Sequence, residues 1–175
     1  MTAINSLKDL LVDEIKDLYD AENQLIKALP KMAKAAANPI LKDGFTTHLA
    51  QTKQHAARLE RVAEILGTPA TGKTCHAMKG LVKEGAEAID TDAPPAVRDA
   101  NLIGAAQRVE HYEMAAYGTA RAFAEELGED VIAELLQETL DEEGDTDKRL
   151  TALSATINEE AFVASGGSGN SVLSL

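Results

Sequence analysis

Residues 7–36 read LKDLLVDEIKDLYDAENQLIKALPKMAKAA, and in them Leu7, Leu11, Leu18, Leu25 and Leu29 form a stripe that continues through Met32 and Ala36. That spacing is the signature of one buried helix face. Ser6 followed by Asp9 supplies an N-cap with an acidic first turn, so the first helix is predicted over about Leu7 to Ala37. Pro30 lies inside it, where the lost hydrogen bond and the crowded preceding turn predict a bend. The stripe is not purely apolar, because Glu14 and Glu22 fall on or beside it. An unpaired buried carboxylate costs roughly several kcal/mol and sooner takes up a proton, so these residues need a reason.

Three further stretches repeat the anomaly. Asn38-Pro39 caps and starts a second helix that ends before Gly67, with His48, Thr52 and His55 on the face of Leu41, Phe45, Leu59, Val62 and Leu66. A third, about Ala96 to Leu127, sets Glu110 and Glu113 among Ile103, Ala106, Tyr117 and Ala120, with Gly128 as its stop. The fourth, about Glu129 to Glu160, sets Glu142 and Glu143 between Leu135, Leu136, Leu150 and Leu153. Four helices of about thirty residues would each span about 45 Å. Short links join the first to the second and the third to the fourth. The segment Gly67 to Pro95, with a short helix expected at about Cys75 to Ile89, is long enough to run the length of a bundle. These features predict an all-α, ferritin-like four-helix bundle of two antiparallel hairpins joined by a long crossover. It would occupy residues 1–162, followed by a flexible tail over 163–175 that ends in SGGSGNSVLSL.

Composition narrows the function. There is no strand-like run of β-branched and aromatic residues, and aromatics make up only 3% of the 175 residues. Twenty-nine acidic against seventeen basic residues give a formal charge of −12, which opposes non-specific binding to nucleic acid or an anionic membrane. The opening MTAINSLKDLLVDE puts acids where a signal peptide needs an apolar segment, and no stretch approaches the length of a membrane span. A cytoplasmic protein is the expectation. Cys75, the single cysteine, excludes an intrachain disulfide and a thiolate metal cluster and reads as a small apolar helix residue.

Counted from the predicted helix starts, Glu22, His55, Glu110 and Glu143 fall at about the fifteenth to seventeenth position of their helices, so side-by-side packing brings them to one level. Carboxylate oxygens supplemented by imidazole suit iron, with manganese or zinc as alternatives. Glu22, His55, Glu110 and Glu143 are therefore the candidate metal ligands, with Glu113 and Glu142 beside them and Glu110 the favoured bridge between hairpins. His48, two turns or about 10 Å before His55, is too far for the same one-ion shell and marks either a second layer with Glu14 or an outer shell. The competing reading pairs Glu22 and Glu110 with Arg58, Arg61, Arg108 or Arg149. Gly144, inside a helix at a cost of about 1 kcal/mol, suggests a close approach or local distortion beside Glu143.

Four segments together carry a family likeness: the stretch quoted above, HLAQTKQHAARLE from His48, VRDANLIGAAQRVEHYEMAAYGTARAFAEELG from Val97, and LLQETLDEEGDTDKRL from Leu135. From Leu7 to about Phe162 the chain resembles the bacterial YciE/YciF family of ferritin-like, stress-associated proteins. The resemblance implies a homodimer with a di-iron or related two-metal centre, and supports Glu22, His55, Glu110 and Glu143 as its residues, with Glu113 and Glu142 adjacent. Two positions depart from the usual ferritin-type pattern. Thr52 stands three residues before His55 where a glutamate is expected, and Glu143 is followed by Thr146 rather than histidine, which implies a site that is asymmetric, weak or limited to one ion. The leading expectation is an iron-handling or iron-dependent redox protein reacting with oxygen or peroxide, with Tyr19, Tyr112 or Tyr117 as neighbouring electron donors or as packing residues. The alternative is a non-enzymatic dimeric scaffold. A DNA-protecting cage is disfavoured by the charge. Tyr112, Tyr117 and Phe123 are the expected aromatic contacts of the dimer.

Overall fold

The computed structural model describes residues 4–167, and the end of the expected tail, residues 168–175, lies outside them. Five helices are present: α1 (Leu7–Ala35), α2 (Pro39–Leu66), α3 (His76–Asp90), α4 (Pro95–Glu126) and α5 (Asp130–Ala164). Ser6 caps α1 by accepting from the Asp9 amide, and α1 continues through Pro30 to Ala35. Asn38 caps α2 and Pro39 opens it. Gly67 ends α2 at φ 69°, the left-handed conformation that glycine adopts without a Cβ penalty. α5 runs four residues past the expected Glu160, so 163 and 164 belong to the helix rather than to a tail.

Helix directions follow from which apolar cluster each helix meets first. One cluster holds Leu11, Ile15, Leu18, Leu59, Val62, Tyr117, Ala120, Ile132 and Leu136. The other holds Leu25, Leu29, Met32, Leu41, Phe45, Leu102, Ile103, Val109, Leu150 and Ile157. α1 and α5 run from the first to the second, whereas α2 and α4 run from the second to the first. The order is therefore up, down, down, up, with α1 beside α2 and α4, and α5 beside α2 and α4. Residues 67–94 carry the chain back along the bundle, and α3 lies on α1 and α4. This is the one-crossover connectivity of a ferritin-like bundle.

Both ends of the crossover are fastened. At the far end the Asp99 carboxylate accepts from the Ala37 and Asn38 amides at 3.0 and 2.6 Å, tying the start of α4 to the α1–α2 turn. At the near end Lys73 meets Asp13 at 2.6 Å and Asp17 at 3.2 Å, and the Cys75 amide donates to Asp20. Asp13, Asp17 and Asp20 thus hold the crossover to α1. Cys75 is not inside a helix as expected: it is the N-cap of α3, its Sγ accepting from the Met78 amide and lying 2.9 Å from the Tyr112 hydroxyl.

Candidate metal centre

Between the two apolar clusters every long helix contributes polar residues that are buried: Glu22 from α1, His48, Thr52 and His55 from α2, Glu110 and Glu113 from α4, Thr139 and Glu143 from α5. The helical repeat explains the choice. His48, Thr52 and His55 are separated by four and three residues and so share one face, as do Glu110 and Glu113.

The layer resolves into two groups that share one residue. His48, Glu110, Glu113 and Glu143 each bring one ligand atom to within 4.8 Å of the others, and Glu22, His55 and Glu143 do the same. His48 Nε2 lies 3.5 Å from Glu110 Oε1 and 3.7 Å from Glu143 Oε2. His55 Nδ1 lies 2.9 Å from Glu143 Oε1 and 3.5 Å from Glu22 Oε1. The 2.9 Å approach lacks the alignment of a hydrogen bond, since both of its atoms remain without a hydrogen-bond partner.

Donor chemistry decides whether these residues fit a metal. Among the described residues, ten buried side-chain nitrogen and oxygen atoms have no hydrogen-bond partner, and eight of them belong to Glu22, His48, His55, Glu110, Glu113 and Glu143. Native proteins seldom leave such atoms unsatisfied, and a concentration of carboxylate oxygens and imidazole nitrogens in one layer is a donor set that fits a cation. The arginine-pairing alternative fails: among the described residues no lysine or arginine lies within ion-pair distance of Glu22, Glu110, Glu113 or Glu143. Arg58 is instead engaged with Glu138 and Glu142.

The electrostatics agree. Burial raises the Glu22 carboxyl above its usual range, and burial together with Glu143 raises Glu110 well above it. Burial, with Glu143 and Glu22 nearby, does the same to Glu113. Glu143 runs the other way: although burial pushes it up, the two histidines hold it below the usual carboxylate value. Burial lowers His48, while His55, despite burial, is raised to about 10 by Glu143 and Glu22.

A family model described as a domain of unknown function, DUF892, matches residues 6–162. The protein YciF of Escherichia coli strain K12 is 41% identical over 160 residues, covering 90% of this chain and 96% of YciF. The chain belongs to the DUF892 family. The crystal structure of the E. coli stress protein YciF superposes with a TM-score of 0.85 over 88% of this chain and 98% of that one. YcfI from Rhodopseudomonas palustris is 43% identical with a TM-score of 0.82, covering 86% and 96% of the two chains. A ferritin-like, diiron-carboxylate protein from Bacillus anthracis is 15% identical with a TM-score of 0.68 over 86% of this chain and 99% of that one, a likeness of fold.

In this DUF892 chain Glu142 stands outside both groups. One residue from Glu143, it is turned about 100° around α5 and faces the bundle surface. There it accepts from Arg58 Nη1 and Nη2 at 2.6 and 3.2 Å, and lies 2.8 Å from His55 Nε2. Glu142 is ionised below the usual range, chiefly by Arg58. A histidine whose outer nitrogen rests on a carboxylate presents its inner nitrogen in a fixed orientation, the arrangement of many metal-bound imidazoles.

His48 is the residue that sequence reasoning underweighted. Its partner is not Glu14, which lies beside Asp13, Asp17 and Lys73, but Glu110 and Glu143. The 10 Å estimate along α2 holds for the helix axis, yet the two rings converge to 6.3 Å between centroids because each leans into the layer. Thr146, at the position where a histidine is expected, gives its hydroxyl proton to the Glu142 carbonyl at 3.0 Å and lies 3.4 Å from His48 Nδ1. A hydroxyl with its proton committed to a carbonyl offers an acceptor to an Nδ1–H, the tautomer that would turn the Nε2 lone pair to the carboxylates. The residue common to both groups is Glu143 rather than the expected Glu110.

Among the tyrosines, Tyr117 alone reaches the layer, donating to Glu22 Oε1. Tyr19 donates to Glu60 and Tyr112 to Asp17. Tyr117 is wholly buried within the chain and so does not supply the expected dimer contact, while Tyr112 is partly buried and lies against Cys75. His111 is exposed beside Asp147, as its rotation from Glu110 predicts. Gly144 permits no special approach: a Cβ there would meet only Met114 Sδ at 3.8 Å. No helix among the described residues is long and apolar enough to cross a membrane.

Proposed function

We propose that this chain is an iron-binding stress protein whose two-metal centre places one ion among His48, Glu110, Glu113 and Glu143 and a second among Glu22, His55 and Glu143. The observation that carries the reading is the set of eight unpartnered, buried donor atoms converging in one layer. Carboxylate-rich donors with two imidazoles and no thiolate suit iron or manganese, and zinc less selectively. Bound iron would supply one-electron chemistry toward oxygen or peroxide. The stress context comes from YciF, which is named a stress protein.

The chain's own residues have distinct tasks in this reading. Glu143, the residue common to both groups, would serve both ions. His55, backed by Glu142 and Arg58, is the rigid nitrogen donor. Tyr117 fixes Glu22 by occupying Oε1 and leaving Oε2 for the cation. The apolar clusters on either side keep water from the His55 half of the layer, which strengthens the charge interactions there.

Anaerobic loading with ferrous iron, followed by metal analysis and exposure to oxygen, tests the proposal. Two ions per chain and a carboxylate-bridged ferric absorption band are expected. Absence of bound metal, together with unfolding unchanged by chelation, would overturn it in favour of a helical scaffold. A homodimer is part of the same proposal, and mass-resolved chromatography showing a monomer at micromolar concentration would remove that part alone.

A further inference from the structure

Two cavities reach the His48 end of the polar layer. One, between α2 and α5, touches His48, Glu110 and Thr146. The other, about 220 Å³, lies among α1, α3 and α4 and has a more pointed chemistry. Its walls are apolar, with Leu25, Phe45, Leu81, Val82 and Val109 among them, and its buried end is formed by His48 and Glu110. Cavities of roughly 150 Å³ with such walls stay dry and admit benzene, so this one takes a somewhat larger apolar molecule. The lining runs from Gln24 to Met32 on α1 and from Leu81 to Ile89 on α3, about 12 Å along each helix. A lining that runs that far along two helices gives this slot room for an extended chain.

Two further features bear on what fills it. Lys27 and Lys31, exposed on α1, line the slot at its outer side, and neither has an ion-pair partner among the described residues although the chain carries a charge of −12. Gly85 sits on the buried face of α3, where glycine costs roughly 0.5–1 kcal/mol relative to alanine. A Cβ at Gly85 would meet only Met32 Sδ, at 3.7 Å, so the backbone does not need the glycine. The missing side chain instead keeps the slot open.

We propose that this slot binds an aliphatic monocarboxylate, its carboxylate between Lys27 and Lys31 at the mouth and its hydrocarbon chain directed toward His48 and Glu110. The inner end offers an anion no lysine or arginine, only His48 and Glu110 among apolar side chains, and the lysines at the outer end attract one. This inference goes beyond the metal reading and does not need metal for binding, although it would bring a hydrocarbon beside the centre.

Titration calorimetry of the metal-free protein with sodium octanoate tests it. Saturable one-to-one binding is expected, tighter than that of octanol. Gly85→Leu should weaken octanoate by at least about tenfold by filling the slot, while Gly85→Ala, which adds only the tolerated Cβ, retains binding. Replacing Lys27 and Lys31 together by alanine should cost about two- to fivefold, the size of exposed ion pairs, and abolish the preference over octanol. Circular dichroism confirms that each variant is folded. Failure of octanoate to saturate at millimolar concentration, equal affinity for octanol, or unchanged binding in folded Gly85→Leu would each overturn the proposal. So would a change in molecular mass of Gly85→Leu showing that a second copy occupies the slot. Because the titration contains no metal, a protein that binds octanoate but no iron would sink the proposed function and leave this inference standing.

Discussion

The two histidines of the polar layer sit on one helix, seven residues apart, in unequal settings. His55 is wholly buried, and its outer nitrogen rests on Glu142, which a two-pronged contact from Arg58 holds in place. His48 has a long 3.4 Å contact with Thr146 and a neighbouring Gln51 side chain, neither of them a carboxylate, and it lines two cavities. One half of the layer is therefore fixed and dry, and the other is loosely held and reachable. In the proposed centre an asymmetry of that kind would separate the work of retaining a cation from that of admitting a small molecule.

The largest effect should come from the residue that both halves share. Glu143→Gln keeps the volume but removes the charge common to both groups, so both ions should be lost, with metal affinity falling by more than about 100-fold, beyond the range of outer-shell changes. Glu110→Ala touches only the His48 group and should leave about one ion of two. It should not destabilise the metal-free fold by the roughly 3–5 kcal/mol expected for breaking a buried ion pair, because no lysine or arginine faces Glu110. Metal content and chemical unfolding of the two variants decide this. If Glu143→Gln retained one ion and Glu110→Ala retained none, the bridging role would pass back to Glu110.

A smaller effect separates the two supports. Glu142→Gln should weaken metal at the His55 side by about 10- to 100-fold, since it loosens a histidine from its orienting carboxylate and frees Arg58. Thr146→Val, which removes one long contact, should change affinity by less. Equal losses would show that the two halves are braced alike.

The bundle and most of this layer were legible in the sequence because helical periodicity puts a residue on a face regardless of tertiary detail. Caps at Ser6 and Asn38 and the stop at Gly67 are local chemistry and were read to within a residue or two. Rotation about a helix axis was the hard quantity. Glu142 and Glu143 differ by 100°, and only the packing of α5 on α2 decides which faces inward. Level along the bundle was the other, since treating each helix as contributing one layer hid the pairing of His48 with Glu110 across α2 and α4. Asp17 and Asp99 were illegible for a third reason: their partners lie far along the chain, Lys73 in the crossover and Tyr112 on α4 for Asp17 and the α1–α2 turn for Asp99, at spacings that no helical period relates.

The dependence on pH sharpens the contrast between protein with and without metal. Glu22, Glu110 and Glu113 have folded values raised by burial. Groups of that kind stabilise the fold below the unfolded carboxylate value of about 4.3 and lose that contribution as pH rises through the raised value. Metal-free protein should therefore lose stability from about pH 5 upward, while a bound divalent cation compensates the same charges. Thermal unfolding with redox-silent zinc and with chelator, at pH 5.5 and 8, should show a gap that widens with pH. A gap that narrowed would mean that the carboxylates are ionised at both values and the layer is wetter than its burial suggests.

The smallest expected effect concerns Gly144, the one position beside the layer where the backbone looks costly. α5 is continuous there, and an added Cβ would stand 3.8 Å from Met114 Sδ, an ordinary contact. Gly144→Ala should therefore raise stability by about 0.5–1 kcal/mol through helix propensity and reduced freedom of the unfolded chain, with metal content unchanged. Chemical unfolding and metal analysis on this variant read both quantities. Stability gained without metal lost assigns the glycine no part in the centre and leaves the asymmetry to the partners of the two histidines. Metal lost from a folded variant would instead mean that α5 must move toward α4 when a cation enters. The looseness of the His48 half would then belong to the helix pair rather than to its side chains.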